Sequence, residues 1–166
     1  MRSIKLAVKL TVLILCLVGA GILHYNSVVH VVPEPGVLIE TIDRAKVALY
    51  KVGAPKDKID ELSIAINSAA VLTKIDPELI VALIKTESNF VYDAVSPKGY
   101  QGLMQTPWAT MKWAEVDILL GAKIFEEKMK FSRNNLRLAL ALYKGGNNKL
   151  ARKYAAETFR IYQSLI

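Results

Sequence analysis

Residues 76–107 read DPELIVALIKTESNFVYDAVSPKGYQGLMQTP, a helix, its stop and a turn-rich loop in one stretch. Asp76-Pro77 is a helix start, with Asp suited to the N-cap and Pro to the first helical position. Ile80, Leu83, Ile84 and Glu87 come next at i, i+3, i+4 and i+7, which is one face of a helix. A carboxylate therefore continues an apolar stripe into the last turn. Burial and the negative end of the helix both disfavour a charged carboxylate, the direction a general acid needs. Periodicity alone leaves a second reading open, a Glu at a fraying end that turns toward water. Ser96-Pro97-Lys98-Gly99 is a turn by composition.

The same periodicity extends on both sides. Ile59, Leu62, Ile66, Ala69 and Ala70 predict a helix from Lys56. Residues 110–131, 134–144 and 147–165 read as three more. Residues 37–50 have a mixed pattern that suggests a short helix between two breakers, Pro33-Glu34-Pro35-Gly36 and Gly53-Ala54-Pro55. No strand pattern of any length appears, apart from a short pairing near residues 89–95. The expected class is mainly α, a single domain at 57–166, preceded by a linker and short helix at 31–56 and a hydrophobic segment at 1–30.

That segment has Arg2, Lys5 and Lys9 ahead of an uncharged run, LTVLILCLVGAGIL, at 10–23. A cationic start before a short apolar core is the pattern of a secretory signal. The competing reading is an uncleaved anchor over residues 6–28, interrupted and short of the roughly 20 apolar residues a span requires. Positive charge ahead of the segment sends the remainder of the chain across the membrane. Both readings place the chain from about residue 30 onward outside the cytoplasm.

Composition narrows the chemistry. The 166 residues are 52% hydrophobic and 22% charged, which argues against disorder. One cysteine excludes an internal disulfide, and the only histidines, His24 and His30, lie near the N-terminus. A Ser-His-Asp site and a histidine-ligated metal in the body of the chain are thereby excluded. Catalysis would have to come from carboxylates, amides, hydroxyls or lysines. The net charge of +7 resides entirely in residues 121–166, with 10 basic and 3 acidic side chains; residues 1–120 carry 12 of each. This suggests either an anionic neighbour or a solvated basic helix face. No motif supports nucleic acid as a partner.

Several ordered motifs resemble one family. Glu87-Ser88, Phe90, Ala94, Ser96-Pro97, Gly99, then Gly102-Leu103-Met104-Gln105 and Pro107 are similar to the signature of the lytic transglycosylases of the soluble (SLT) type, whose catalytic domain is lysozyme-like. LALALYKGGN at 138–147 resembles that family's Ala-Tyr-Asn-Ala-Gly segment, and Glu157-Thr158 with Tyr162 its closing Glu-Thr-x-x-Tyr pattern. The resemblance covers about residues 59–162. It implies Glu87 as the catalytic residue, no metal or organic cofactor, and peptidoglycan glycan strands as the partner. Ser88, Ser96, Met104, Gln105 and Tyr143 are implied substrate-binding residues. Gln105 offers donors and acceptors to hydroxyl or acetamido groups, and Met104 a pliable apolar surface for a sugar face. Trp108 and Trp113 are either sugar-stacking rings or core. Four positions depart from the family: Tyr100 for alanine, Lys144 for asparagine, Gly145 for alanine and Thr106 for an aliphatic residue.

The resemblance also implies a mechanism with one carboxylate where ordinary glycosidases use two. Glu87 protonates the oxygen between N-acetylmuramic acid and N-acetylglucosamine. It then accepts the proton of the muramic 6-hydroxyl as a 1,6-anhydro ring closes. The rivals are a lysozyme-type hydrolase, with Asp93 as the nearby second carboxylate, and a silent membrane-tethered wall-binding module.

Overall fold

The computed structural model describes residues 35–107, 113–146 and 148–166. Its six helices there are α1 (Pro35–Lys51), α2 (Ile59–Thr73), α3 (Pro77–Glu87), α4 (Ala114–Phe131), α5 (Leu136–Tyr143) and α6 (Lys149–Leu165), with a single 3-10 turn at Lys56–Lys58. The mainly α class is as expected. The N-terminal segment and its export or anchor reading lie outside the described residues. Among the described residues, no helix is long and apolar enough to cross a membrane.

α3 is the central element. Ile80, Val81, Ala82, Leu83 and Ile84 are all fully buried, so apolar contact surrounds the helix up to its last turn. α1 and α2 pack together, α2 packs on α4, and α6 packs on both α3 and α5. Ile59, Leu62, Ile66, Ala69 and Ala70 line the buried face of α2 as their spacing predicts. Asn135 and Asn148 cap α5 and α6, each side chain accepting an N–H three residues on, at 3.0 and 2.9 Å.

Two local expectations are corrected. The helix expected over 37–50 is present as the 17-residue α1, but it takes Pro35 and Gly36, expected as breakers, into its first turn. Proline needs no amide donor there. The buried stripe of α1 is Ala45, Ala48 and Leu49, whereas Ile39 and Val47 are exposed. Two of the bulky residues in the mixed pattern, Ile39 and Val47, thus lie on the solvent side. Asp76 does stand at the N-cap of α3, but its side chain makes no cap bond. It accepts instead from the Tyr162 hydroxyl and lies 3.7 Å from Arg44.

Strand structure among the described residues is confined to two isolated antiparallel bridges, Val95 with Gln101 and Gln101 with Thr106. They fold the loop after α3 back on itself and carry residues 102–105 toward the end of that helix.

Candidate active site

Glu87 is the last residue of α3, and its side chain is only 3% exposed. The chain leaves the helix sharply. Asn89 (φ 51°) and Phe90 (φ 67°) are both left-handed, a costly conformation for a bulky aromatic. Burial of the Phe90 ring and a bond from Phe90 N–H to Ser88 Oγ at 3.2 Å hold the turn. The Ser88 hydroxyl also donates to the Ile84 carbonyl at 3.2 Å. Ser88 is therefore committed to shaping the turn.

The loop is built the same way. Ser96 Oγ accepts the Tyr100 N–H at 3.0 Å, closing the Ser-Pro-Lys-Gly turn. Gln105, itself left-handed at φ 49°, spends its amide nitrogen on the carbonyls of Ala94 and Gly102, both at 2.9 Å. Its remaining capacity toward a ligand is as an acceptor, through Oε1. Met104 is fully buried, so its side chain does not offer the sugar-facing surface expected of it. It fills the notch left by Gly121 of α4, where an added Cβ would stand 2.4 Å from Met104 Cβ. What Met104 contributes is its peptide group. The carbonyl accepts the Tyr143 hydroxyl at 2.8 Å, and the N–H lies 3.3 Å from Asp117 Oδ2.

Two residues here were not legible in the sequence. Asp117, on α4, is 2% exposed and accepts N–H groups of both Leu103 and Met104. Burial pushes its carboxyl pKa up, while those two N–H groups pull it down. Tyr154, on α6, is nearly buried, with its hydroxyl close to Glu87 and Thr158. Burial first, and the nearby Glu87 charge second, push its pKa well above the ordinary phenol value. Tyr143 shifts the same way for the same two reasons, and its ring meets Phe125 edge-on at 5.8 Å.

The third unexpected feature is Lys144. Its Nζ lies 2.6 Å from Glu87 Oε2 and 4.7 Å above the Tyr154 ring. The apolar stripe suggests a carboxyl isolated among hydrocarbon; the structure gives it an ammonium partner from the end of α5. The next turn uses Gly145 and Gly146 at φ 110° and 133°, backbone that a side chain would strain.

Thus Glu87, Tyr143, Lys144 and Tyr154 converge with the backbone of residues 102–105. Ser88, Ser96 and Gln105 brace this assembly. Trp113 is 55% exposed at the start of α4, which excludes the core reading for it. Trp108 lies outside the described residues. Two concavities elsewhere, of about 630 Å³ beside α1 and 330 Å³ between α4 and the end of α2, do not include Glu87. The larger one is lined by Glu78, a buried carboxylate already held by Arg44 through two hydrogen bonds.

The family model described as the transglycosylase SLT domain matches residues 64–166. The chain belongs to that family. An SLT domain is a transglycosylase-type, lysozyme-like glycosidic-bond-cleaving module whose polymer is peptidoglycan, in the cell envelope. The match begins inside α2, so α1 lies outside the matched residues.

Proposed function

We propose that this SLT protein is a peptidoglycan lytic transglycosylase in which Glu87 acts first as acid and then as base. The carrying observation is a carboxylate 3% exposed at the end of α3, with the second buried carboxylate of the neighbourhood, Asp117, already occupied by two backbone N–H groups. Asp93, the partner that a two-carboxylate hydrolase would need, is exposed. One carboxylate suffices when the nucleophile belongs to the substrate. Glu87 gives its proton to the β-1,4 glycosidic oxygen as the C1–O4 bond breaks and N-acetylglucosamine leaves with a 4-hydroxyl. The muramic 2-acetamido group stabilises the developing cation. The 6-hydroxyl oxygen then bonds to C1 and returns its proton to Glu87. No water is consumed, and the muramic end is a 1,6-anhydro ring. We read residues 57–166 as the catalytic domain and residues 1–30 as the export signal or inner-membrane anchor that delivers it to the wall.

The test is mass spectrometry of purified peptidoglycan digested by the full chain and by Glu87→Gln. Muropeptides lighter by one water than hydrolytic products are expected with the wild type alone. Hydrated ends would make the protein a lysozyme, and wild-type-like release by Glu87→Gln would remove Glu87 from the chemistry. Wall binding with no release by either protein would favour a silent binding module.

A further inference from the structure

We propose that Lys144 is a positioning residue, an ion-pair latch on Glu87 that opens by exchanging that carboxylate for a carboxylate carried by the glycan strand. The proposal rests on the transglycosylase reading for the identity of the strand. It rests on this chain's own geometry for the exchange.

With Lys144 Nζ 2.6 Å from Oε2 and the Glu87 side chain 3% exposed, that oxygen is occupied and covered. The contact joins a carboxylate to an ammonium, and while it lasts Oε2 is held by Lys144. Lys144 is the partner able to leave: its side chain is 37% exposed, on the rim of the site. The Tyr154 ring, 4.7 Å from Nζ, supports the ammonium by its face.

The surroundings state the charge of the displacing group. Lys98 Nζ comes 3.7 Å from where a Cβ on Gly145 would stand, which brings a second ammonium over the same turn. Lys149, Arg152 and Lys153 stand in the first turns of α6, the helix that carries Tyr154. Among the described residues none of these four forms an ion pair, and Glu87 is the only carboxylate Lys144 pairs with. A neutral sugar gains nothing from such a rim. An anionic one does, because bringing a carboxylate among unpaired cations is favourable and replaces the pair that is lost. Muramic acid supplies that group: its lactyl ether carries either a peptide with free carboxylates or, once the peptide is removed, the lactyl carboxylate itself. The exchange moves no covalent bond; one ammonium–carboxylate contact is traded for another. It also accounts for lysine standing where the family has asparagine, since an amide could hydrogen-bond Glu87 but could not prefer an anion.

The test separates binding from turnover. Calorimetry compares full-length Glu87→Gln with the Glu87→Gln, Lys144→Asn double variant. The ligands are a peptide-bearing tetrasaccharide of alternating N-acetylglucosamine and N-acetylmuramic acid, and the neutral chitohexaose. The Glu87→Gln background frees Lys144 and stops turnover. The expected result is a loss of roughly tenfold in affinity for the anionic ligand on adding Lys144→Asn, with chitohexaose unchanged and with Lys144→Arg restoring most of the loss. An equal loss on both ligands, or none on the anionic one, overturns the proposal. With Glu87 intact, Lys144→Asn is expected to raise KM on peptidoglycan without lowering kcat; a lower kcat at unchanged KM would instead place Lys144 in the chemistry and overturn the latch. If the wild type forms no anhydro ends but the anion-specific loss is present, the transglycosylase reading fails and the latch stands. If anhydro ends form and that loss is absent, the reverse holds.

Discussion

The peptide of Met104 is gripped from opposite sides, its N–H by Asp117 and its C=O by the Tyr143 hydroxyl. Each grip comes from a different helix, so the loop beside Glu87 is positioned by α4 and α5 together. Asp117→Ala would leave the N–H groups of Leu103 and Met104, both in buried residues, without an acceptor. The expected cost is about 2–4 kcal/mol of stability in urea unfolding, since each stranded buried donor costs about 1–3 kcal/mol. Asn at the same place keeps one oxygen and should lose less. A change under about 0.5 kcal/mol, the usual range of surface substitutions, would show the loop is held otherwise. Glu87 and Tyr143 were legible in the sequence because one continues a helical stripe and the other sits in a motif. Asp117 was not, because an acid in a helix's first turn already has a local explanation in the dipole. Lys144 stands out as a departure, but its pairing with Glu87 spans 57 residues, a separation at which spacing carries no geometry. Met104 reads as a surface residue in the sequence because the notch that takes it belongs to another helix.

That notch is an element-scale feature. Gly121 lies within α4, where glycine ordinarily costs about 1 kcal/mol relative to alanine, so helix propensity alone makes Gly121→Ala stabilising. The packing reverses the sign. A Cβ there would come 2.4 Å from Met104 Cβ and 2.7 Å from its Cγ, and the nearer of these atoms is fixed to the backbone of the active-site loop. The loop or α4 has to shift. Gly121→Ala is expected to destabilise by about 1–3 kcal/mol, as overpacking does, and to lower turnover through the displaced Met104 peptide. A thermal melt at or above the wild-type temperature would show that the two elements are packed more loosely than these distances imply. The helices were the legible part of the fold: α2 and α3 bury the residues that their spacing selects. α1 was harder because two alanines share its buried stripe with Leu49 while the bulkier Ile39 and Val47 face solvent. Hydrophobicity patterns weigh residues by size, and a tight helix contact favours small ones.

At the scale of the whole described chain, α1 is fastened to the body by charge. Arg44 donates from Nε to Glu78 Oε1 at 2.9 Å and from Nη2 to Glu78 Oε2 at 2.7 Å, and Asp76 beside it accepts from Tyr162 of α6. Glu78 is almost wholly buried, so Arg44→Met would strand a carboxylate at the start of α3. With the arginine side 41% exposed, the expected cost is roughly 1–3 kcal/mol, below that of a fully buried pair. Tyr162 makes the same junction sensitive to alkali. Burial, then its bond to Asp76, pushes its hydroxyl pKa up to about 12 from an ordinary value of 10.0. Above pH 10 the unfolded chain gives up this proton while the folded chain keeps it, so the unfolded state binds fewer protons and stability falls with rising pH. The contribution is whole below pH 10 and is lost as pH passes through about 12. Tyr143 and Tyr154, raised further by burial, act in the same direction. Melting temperature followed by circular dichroism should therefore drop steadily above pH 10. In Tyr162→Phe the drop between pH 10 and 12 should be shallower by one proton's share, because phenylalanine has no proton to withhold. An unchanged slope in that variant would mean that Tyr162 reaches solvent as freely in the folded protein as in the unfolded chain, and that the junction of α1, α3 and α6 is open to water.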